Sequence, residues 1–393
     1  MPVLPVDKSV GRVLVVSQAT VAGVAICVRN LIRAAVDSGY EVTVACPSEG
    51  DLAAWSEEEG AQWERLEMRR APHPGDLLAV LRIRRLARAS TLVHLHSSKA
   101  GAVGRLALAS LGRRRPPSVF TPHGWSWLGG GWASPLFRLL EWGLLPVTTA
   151  VVAVSDEEQA HGRAVLGSRA AGIEVIPNGV DTAQFCPHGP VAPRTDDPLV
   201  VCVGRLDPQR GADVAVAALP LMTTPRVHLR LVGDGSDRGA IVEQVSRLRL
   251  TDRVEMVGFR VDPAPELRAA DVVVIPSRYD GMALVLLEAM ACGAAIVATR
   301  VSGSSALDGA GELVPIEDRR ALAKAVDTLL ADPDRRHFLG LAARERVAAN
   351  YPLQRSLESN IALWQDLGAF PPSNRSGAEV RLPEDVDAAE GLG

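Results

Sequence analysis

The sequence predicts an α/β protein of two doubly wound domains, each a parallel sheet covered by helices, facing one another across a cleft. Three observations carry this expectation. The length of 393 residues exceeds one ordinary core and suits two domains. Short β-branched runs alternate with longer segments of helical apolar spacing, as parallel strands joined by crossover helices require. A stretch bearing Pro187, Pro190, Pro193 and Pro198 interrupts the alternation, and proline continues neither a helix nor a central strand.

In the first half, strands are expected at 13–16, 41–45, 91–95, 118–120 and 150–154. Between the first two, residues 24–37 carry apolar side chains at helical spacing and stop at Ser38-Gly39. The second series has strands at 199–203, 228–232, 253–257, 272–275 and 295–298, then helices at 319–330, 335–349 and 353–367. This divides the chain into an N-terminal domain (1–186), a linker (187–198), a C-terminal domain (199–352), a last helical segment (353–370) and a polar tail (371–393). The tail is rich in Pro, Gly and acids and reads as disordered.

Bulk composition removes several function classes. A formal charge of -4 argues against nucleic acid as the main partner, because binding phosphate at scale needs clustered excess Lys and Arg. The cysteines Cys27, Cys46, Cys186, Cys202 and Cys292 are odd in number with no C-x-x-C spacing, as in a reducing compartment. No basic, then apolar, leader opens the chain, and the apolar stretch 136–154 is broken by Arg138, Glu141 and Pro146. A cytoplasmic protein is expected.

The chemistry-bearing segments follow predicted strands. Pro276-Ser277-Arg278-Tyr279-Asp280-Gly281-Met282-Ala283-Leu284 passes from a strand through a turn into an apolar helix that carries Glu288. Amides opening such a helix are orphan donors, so Gly281, Met282, Ala283 and Leu284 are expected to meet a phosphate or sugar hydroxyl. Glu288 can accept hydrogen bonds from ribose hydroxyls. Asp280 would hold a hydroxyl of a sugar; its plain alternative is a helix N-cap. In Gly204-Arg205-Leu206-Asp207-Pro208-Gln209-Arg210-Gly211, two guanidiniums in one loop can grip a diphosphate; the plain alternative is surface arginines, one paired with Asp207. Gly23, between the first strand and helix, allows close approach to an anion, yet the segment is not G-x-G-x-x-G, which argues against a nicotinamide-dependent oxidoreductase.

The two carboxylates Asp280 and Glu288, with their surroundings, resemble the signature of glycosyltransferase family four, in which two glutamates are separated by seven residues. The resemblance extends through about residue 370. It implies the GT-B architecture of two Rossmann-like domains, a last helix that returns to the first domain, and retaining transfer from a nucleoside diphosphate sugar. The donor is expected to be UDP- or GDP-linked, with no further cofactor and no metal. It also makes two departures visible: Asp280 is one methylene shorter than glutamate, and Arg210 stands where lysine is usual. His123, in Thr121-Pro122-His123-Gly124, matches the histidine that points at the transferred sugar. Gly258 and Phe259 match a loop that lies against the nucleotide base. The segment 173–181 matches too and is read as a structural corner.

The acceptor is left as a glycan or a lipid-linked precursor. His94 and His96 are read as lying on opposite faces of their strand, so that only one lines the cleft. Trp125, Trp127, Trp132 and Trp142 follow Arg113-Arg114-Arg115, a combination suited either to peripheral membrane contact or to ordinary packing. Two other classes stay open: a nucleotide-sugar epimerase of the same architecture, and an inert relative that binds sugar nucleotides without turnover.

Overall fold

The computed structural model describes residues 11–69, 71–130, 134–170 and 172–371. The predicted tail beyond 371, Trp132 and the extreme N-terminus lie outside the described residues. The first sheet contains β1 (Arg12–Ser17), β2 (Glu41–Cys46), β3 (Gln62–Arg65), β4 (Leu92–His96), β5 (Ser118–Thr121), β6 (Ala150–Ala153) and β7 (Ile173–Val175). All pairings are parallel, in the order β3-β2-β1-β4-β5-β6-β7. Central strands such as β1 and β4 are buried along nearly their whole length, so β1 reads as the apolar run Val13–Val16 and β4 joins Leu92, Val93 and Leu95 to two buried histidines.

Helices α1 (Ala22–Asp37) and α2 (Leu52–Glu58) cover one face of this sheet, with Ala25, Val28, Ile32 and Leu52 in its core. Helices α3 (Asp76–Ala87) and α4 (Ser98–Ala109) cover the other, with Ala79, Ile83, Ala100 and Val103 buried. α5 (Ser134–Leu144) packs on α4, and α6 (Asp156–Leu166) follows β6.

The second sheet contains β8 (Leu199–Val203), β9 (His228–Val232), β10 (Val254–Gly258), β11 (Val272–Ile275), β12 (Ile296–Thr299) and β13 (Glu312–Val314), again all parallel, in the order β10-β9-β8-β11-β12-β13. Its helices are α7 (Ala212–Ala218), α8 (Arg238–Arg247), α9 (Ala264–Ala269), α10 (Leu284–Ala291), α11 (Arg319–Ala331) and α12 (Pro333–Asn350). α13 (Leu353–Asp366) packs on α1 of the first domain, where Trp364 is fully buried, its ring edge-on to Tyr40 at 5.6 Å.

The two sheets share a logic that explains which strands the sequence conceals. β3, β7 and β13 were not expected as strands, and all three are sheet edges of three or four residues. An edge strand is not covered on every side, so its composition need not be apolar; β3 reads Gln-Trp-Glu-Arg.

Candidate functional site

The C-terminal ends of both parallel sheets carry the residues singled out above, the position where open α/β sheets bind ligands. The loop leaving β8 and the loop leaving β11 are stitched together. Gly211 has φ +69, and a Cβ there would meet the Pro276 carbonyl oxygen at 2.1 Å, so only glycine lets the two loops approach this closely. The Arg278 amide donates to the Gln209 carbonyl at 2.9 Å, and Gln209 Nε2 donates to the Tyr279 carbonyl at 3.2 Å. In consequence Arg210 Nη1 is ion-paired with Asp280 Oδ2.

Asp280 is therefore not an N-cap. α10 opens three residues later with Ala283 at the cap, and the second oxygen of Asp280 accepts its neighbour's amide, Gly281 N, at 3.0 Å. That occupies one of the amides expected to be an orphan donor. Met282 and Ala283 are buried at the helix entrance. Arg205 pairs with Asp207 at 3.0 Å with its side chain 37% exposed, so the surface pairing considered above is present.

Glu288 lies one turn into α10 and is buried. Burial, with the nearby charge of Asp262, pushes its carboxyl up to about 7, opposed by Arg210. Gly258 ends β10 with φ +75, and Phe259 after it is exposed. Gly23 faces Leu284 across the cleft at 3.8 Å from where its Cβ would be, an ordinary contact that does not demand glycine. The left-handed position of that turn is instead Ala22, at φ 59.

From the N-terminal domain, His123 follows β5 with φ 53, unusual for a residue with a Cβ, and Gly124 follows it. A Cβ on Gly281 would meet Gly124 N at 2.8 Å, Val154 Cγ2 at 2.9 Å and His123 C at 3.0 Å. The His123-Gly124 and Asp280-Gly281 backbones are thus in direct contact across the cleft. Ser155 Oγ donates to the Gly281 carbonyl at 2.9 Å, and Asn178 Nδ2 donates to the Met282 carbonyl at 2.9 Å. Glu157 accepts the amides of Gly303 and Ser305 at 3.1 and 3.2 Å.

His94 and His96 correct the sequence reading. Their rings stack at 4.0 Å on one face of β4, because strand side chains alternate and residues two apart share a face. His96 Nδ1 is 3.0 Å from His123 Nε2, whereas His94 is engaged by Thr121 Oγ1 at 2.9 Å and by Trp364 Nε1 at 3.2 Å. Burial holds His123 down to about 4 and His94 to about 3, and pushes His96 well below the usual range with help from the other two rings. At neutral pH the trio is uncharged. Trp125 and Trp127 are also core residues, stacked at 4.6 Å, while Trp142 is 43% exposed.

Glu158 was not singled out, although Ser155-x-x-Glu158 is a helix-start signature in the sequence. Ser155 Oγ does accept the Glu158 amide at 3.1 Å, but the Glu158 carboxylate turns to the amides of Gly124 and Val154. It thereby holds the His123-Gly124 turn. Burial, helped by the charge of Asp280, raises it to about 7 despite the two amide donors. A carboxyl lifted from 4.5 to about 7 stabilises the fold fully below 4.5 and loses that contribution as pH rises through 7. Glu158→Gln is therefore expected to flatten the fall in melting temperature across that window, read by calorimetry over a pH series; an unchanged slope would contradict this role.

The comparisons with known proteins place this geometry. Residues 21–184 match the model described as Glycosyltransferase Family 4, and residues 197–332 match Glycosyl transferases group 1. The chain is 32% identical over 321 residues to the alpha-maltose-1-phosphate synthase of Mycolicibacterium smegmatis, covering 72% of this chain and 81% of that protein. The chain belongs to glycosyltransferase family 4. Another relative in the same organism is a GDP-mannose-dependent alpha-(1-6)-phosphatidylinositol monomannoside mannosyltransferase, 34% identical over 244 residues, which are 53% of this chain and 63% of that relative. The match thus spans less than two thirds of that family member's length. Sucrose-phosphate synthase from Thermosynechococcus elongatus has a similar structure, with a TM-score of 0.78 over 91% of this chain and 99% of that one at 26% identity. The two-domain architecture is that of GT-B glycosyltransferases. Among the described residues no group of three His, Cys, Asp or Glu side chains is placed to hold a metal ion.

Proposed function

We propose that this protein transfers a sugar from a UDP- or GDP-linked donor to an acceptor held by the N-terminal domain, with retention of anomeric configuration. The contact of His123-Gly124 with Asp280-Gly281 supports this reading most. It joins the two segments proposed to handle the sugar at the end of a loop that carries Arg210. Arg205 and Arg210 oppose the charge that develops on the diphosphate as the glycosidic bond breaks. With these cations and backbone amides supplying the positive field, transfer is metal-independent.

Glu288 accepts hydrogen bonds from the ribose hydroxyls. Asp280 and the neutral His123 orient the sugar, Asp280 being shared with Arg210. In the retaining scheme the acceptor hydroxyl attacks on the face that the diphosphate leaves. Its oxygen forms the new bond to the anomeric carbon, the old bond to phosphate oxygen breaks, and the departing phosphate takes the proton. The acceptor is a glycan or a lipid-linked precursor, the latter placing the protein at the inner face of a membrane. The relative named as GDP-mannose-dependent supports including GDP sugars among the donors tested.

A panel of UDP and GDP sugars screened by thermal shift is expected to yield one donor that raises the melting temperature. Incubating that donor with candidate acceptors should then give a product whose anomeric coupling, read by NMR, matches the donor's. An epimer formed from donor alone would instead establish the epimerase reading, and binding without any turnover the inert one.

A further inference from the structure

The outer surface of α3, α4 and α5 has a chemistry unlike the rest of the chain. Eight of the nineteen exposed large apolar side chains among the described residues lie on these three helices, of which α3 and α4 cover one face of the first sheet and α5 packs against α4. Leu77, Leu78 and Leu81 protrude from α3 at 67%, 71% and 51% exposure. Leu136, Leu139 and Trp142 do so from α5 at 59%, 63% and 43%. The opposite side of α3 sends Ala79, Ile83 and Ala87 into the sheet core, and α5 turns Glu141 and Leu144 inward.

Charge on the same face is one-sided. Although the whole chain has a formal charge of -4, residues 71–150 hold ten Lys or Arg against two acids. Both acids are occupied by bases of the same stretch: Asp76 pairs with Lys99, and Glu141 with the buried Arg105. Arg82 is drawn to Glu64 of β3, but Arg85, Arg88, Arg138 and the run Arg113-Arg114-Arg115 are exposed. Apolar side chains in a field of arginines match the acyl boundary and phosphates of an anionic bilayer, where the aliphatic groups bury shallowly and the guanidiniums meet headgroups. No helix among the described residues is long and apolar enough to cross a membrane, so the contact is with the surface.

We propose that this α3–α4–α5 face docks the protein on an anionic lipid bilayer. The first turns of α3 also border a cleft of ≈ 1000 Å³ lined by Leu78, Arg82, Gln18, Pro47 and Arg65, at the C-terminal ends of the first strands. A headgroup-borne acceptor on the bilayer has a short path into it. That last step rests on the transferase reading; the docking does not.

Flotation of the full chain with phosphatidylcholine vesicles, with and without phosphatidylglycerol, tests the proposal. Recovery is expected with the anionic vesicles, to fall with added salt, and to drop about tenfold or more in Arg85→Glu/Arg88→Glu/Arg138→Glu and in Leu77→Ser/Leu139→Ser. These positions are exposed, and an unchanged melting temperature with an unchanged donor-induced shift would show that fold and donor site are intact. Equal recovery of wild type and both variants, recovery independent of phosphatidylglycerol, or a wild-type dimer that the leucine variant converts to monomer would overturn it. The donor-induced shift reads the transferase proposal separately, so failure of one is distinguishable from failure of the other.

Discussion

Arg205→Ala is expected to lower sugar transfer by about 10²–10³-fold, the loss typical of deleting one group that stabilises developing negative charge. The fold should survive. Arg205 is more than a third exposed, so solvent screens its pair with Asp207, and that carboxylate, itself buried, keeps the Arg210 amide as a donor at 3.2 Å. Arg210 is a poorer probe, because its partner Asp280 is buried and its removal would leave that carboxylate uncompensated. Steady-state transfer beside a melting curve separates the two effects. Near-normal turnover of Arg205→Ala, with donor bound normally, would remove this residue from the proposed mechanism.

The largest loss of stability is expected far from the cleft, at Arg105. Its side chain is fully buried between α4 and α5. Nε donates to the Gly101 carbonyl at 2.8 Å, Nη2 donates to Glu141 at 2.7 Å, and the guanidinium lies 4.0 Å from the centre of the Phe120 ring. Truncating it strands the Glu141 carboxylate in the interior. Arg105→Ala should therefore cost about 3–5 kcal/mol, read by urea denaturation. Replacing both partners by methionine should cost less than Arg105→Ala alone, since no buried charge is then left unpaired. A double variant as unstable as the single one would show that packing of the guanidinium, and not the ion pair, holds the two helices together.

Much of the fold is legible in the sequence because its signals are local. Continuous β-branched runs mark the central strands, and α1 ends where Ser38-Gly39 says it should, with Gly39 at φ +86. Asp318 and Asp332 cap α11 and α12 through side-chain acceptance of the following amides. The edge strands β3, β7 and β13 were missed because they are short and half-covered, whereas the longer edge strand β10 was expected. Within the site, Arg205, Arg210, Asp280, Glu288 and His123 could be picked out by their positions after predicted strands and by family resemblance. Glu158 could not, because a capping signature explains its place in the sequence without assigning its carboxylate to a turn in another loop. The pairing of His94 with His96 was available from strand periodicity and was misread.

What the sequence determined by itself was the alternation of strand and helix, the break between the two series and the set of polar residues at strand ends. Each depends on backbone preferences and side-chain burial over a few residues. Tertiary structure decided which of those residues meet. His123 reaches Asp280 only because Gly124 and Gly281 let two backbones touch across the domains, and Arg210 reaches Asp280 only because Gly211 admits the Pro276 carbonyl. The arginine-rich face of α3, α4 and α5 likewise exists only once three separate helices lie side by side. Contacts between residues far apart in the chain depend on where each sheet places its strand ends, and no local periodicity carries that information.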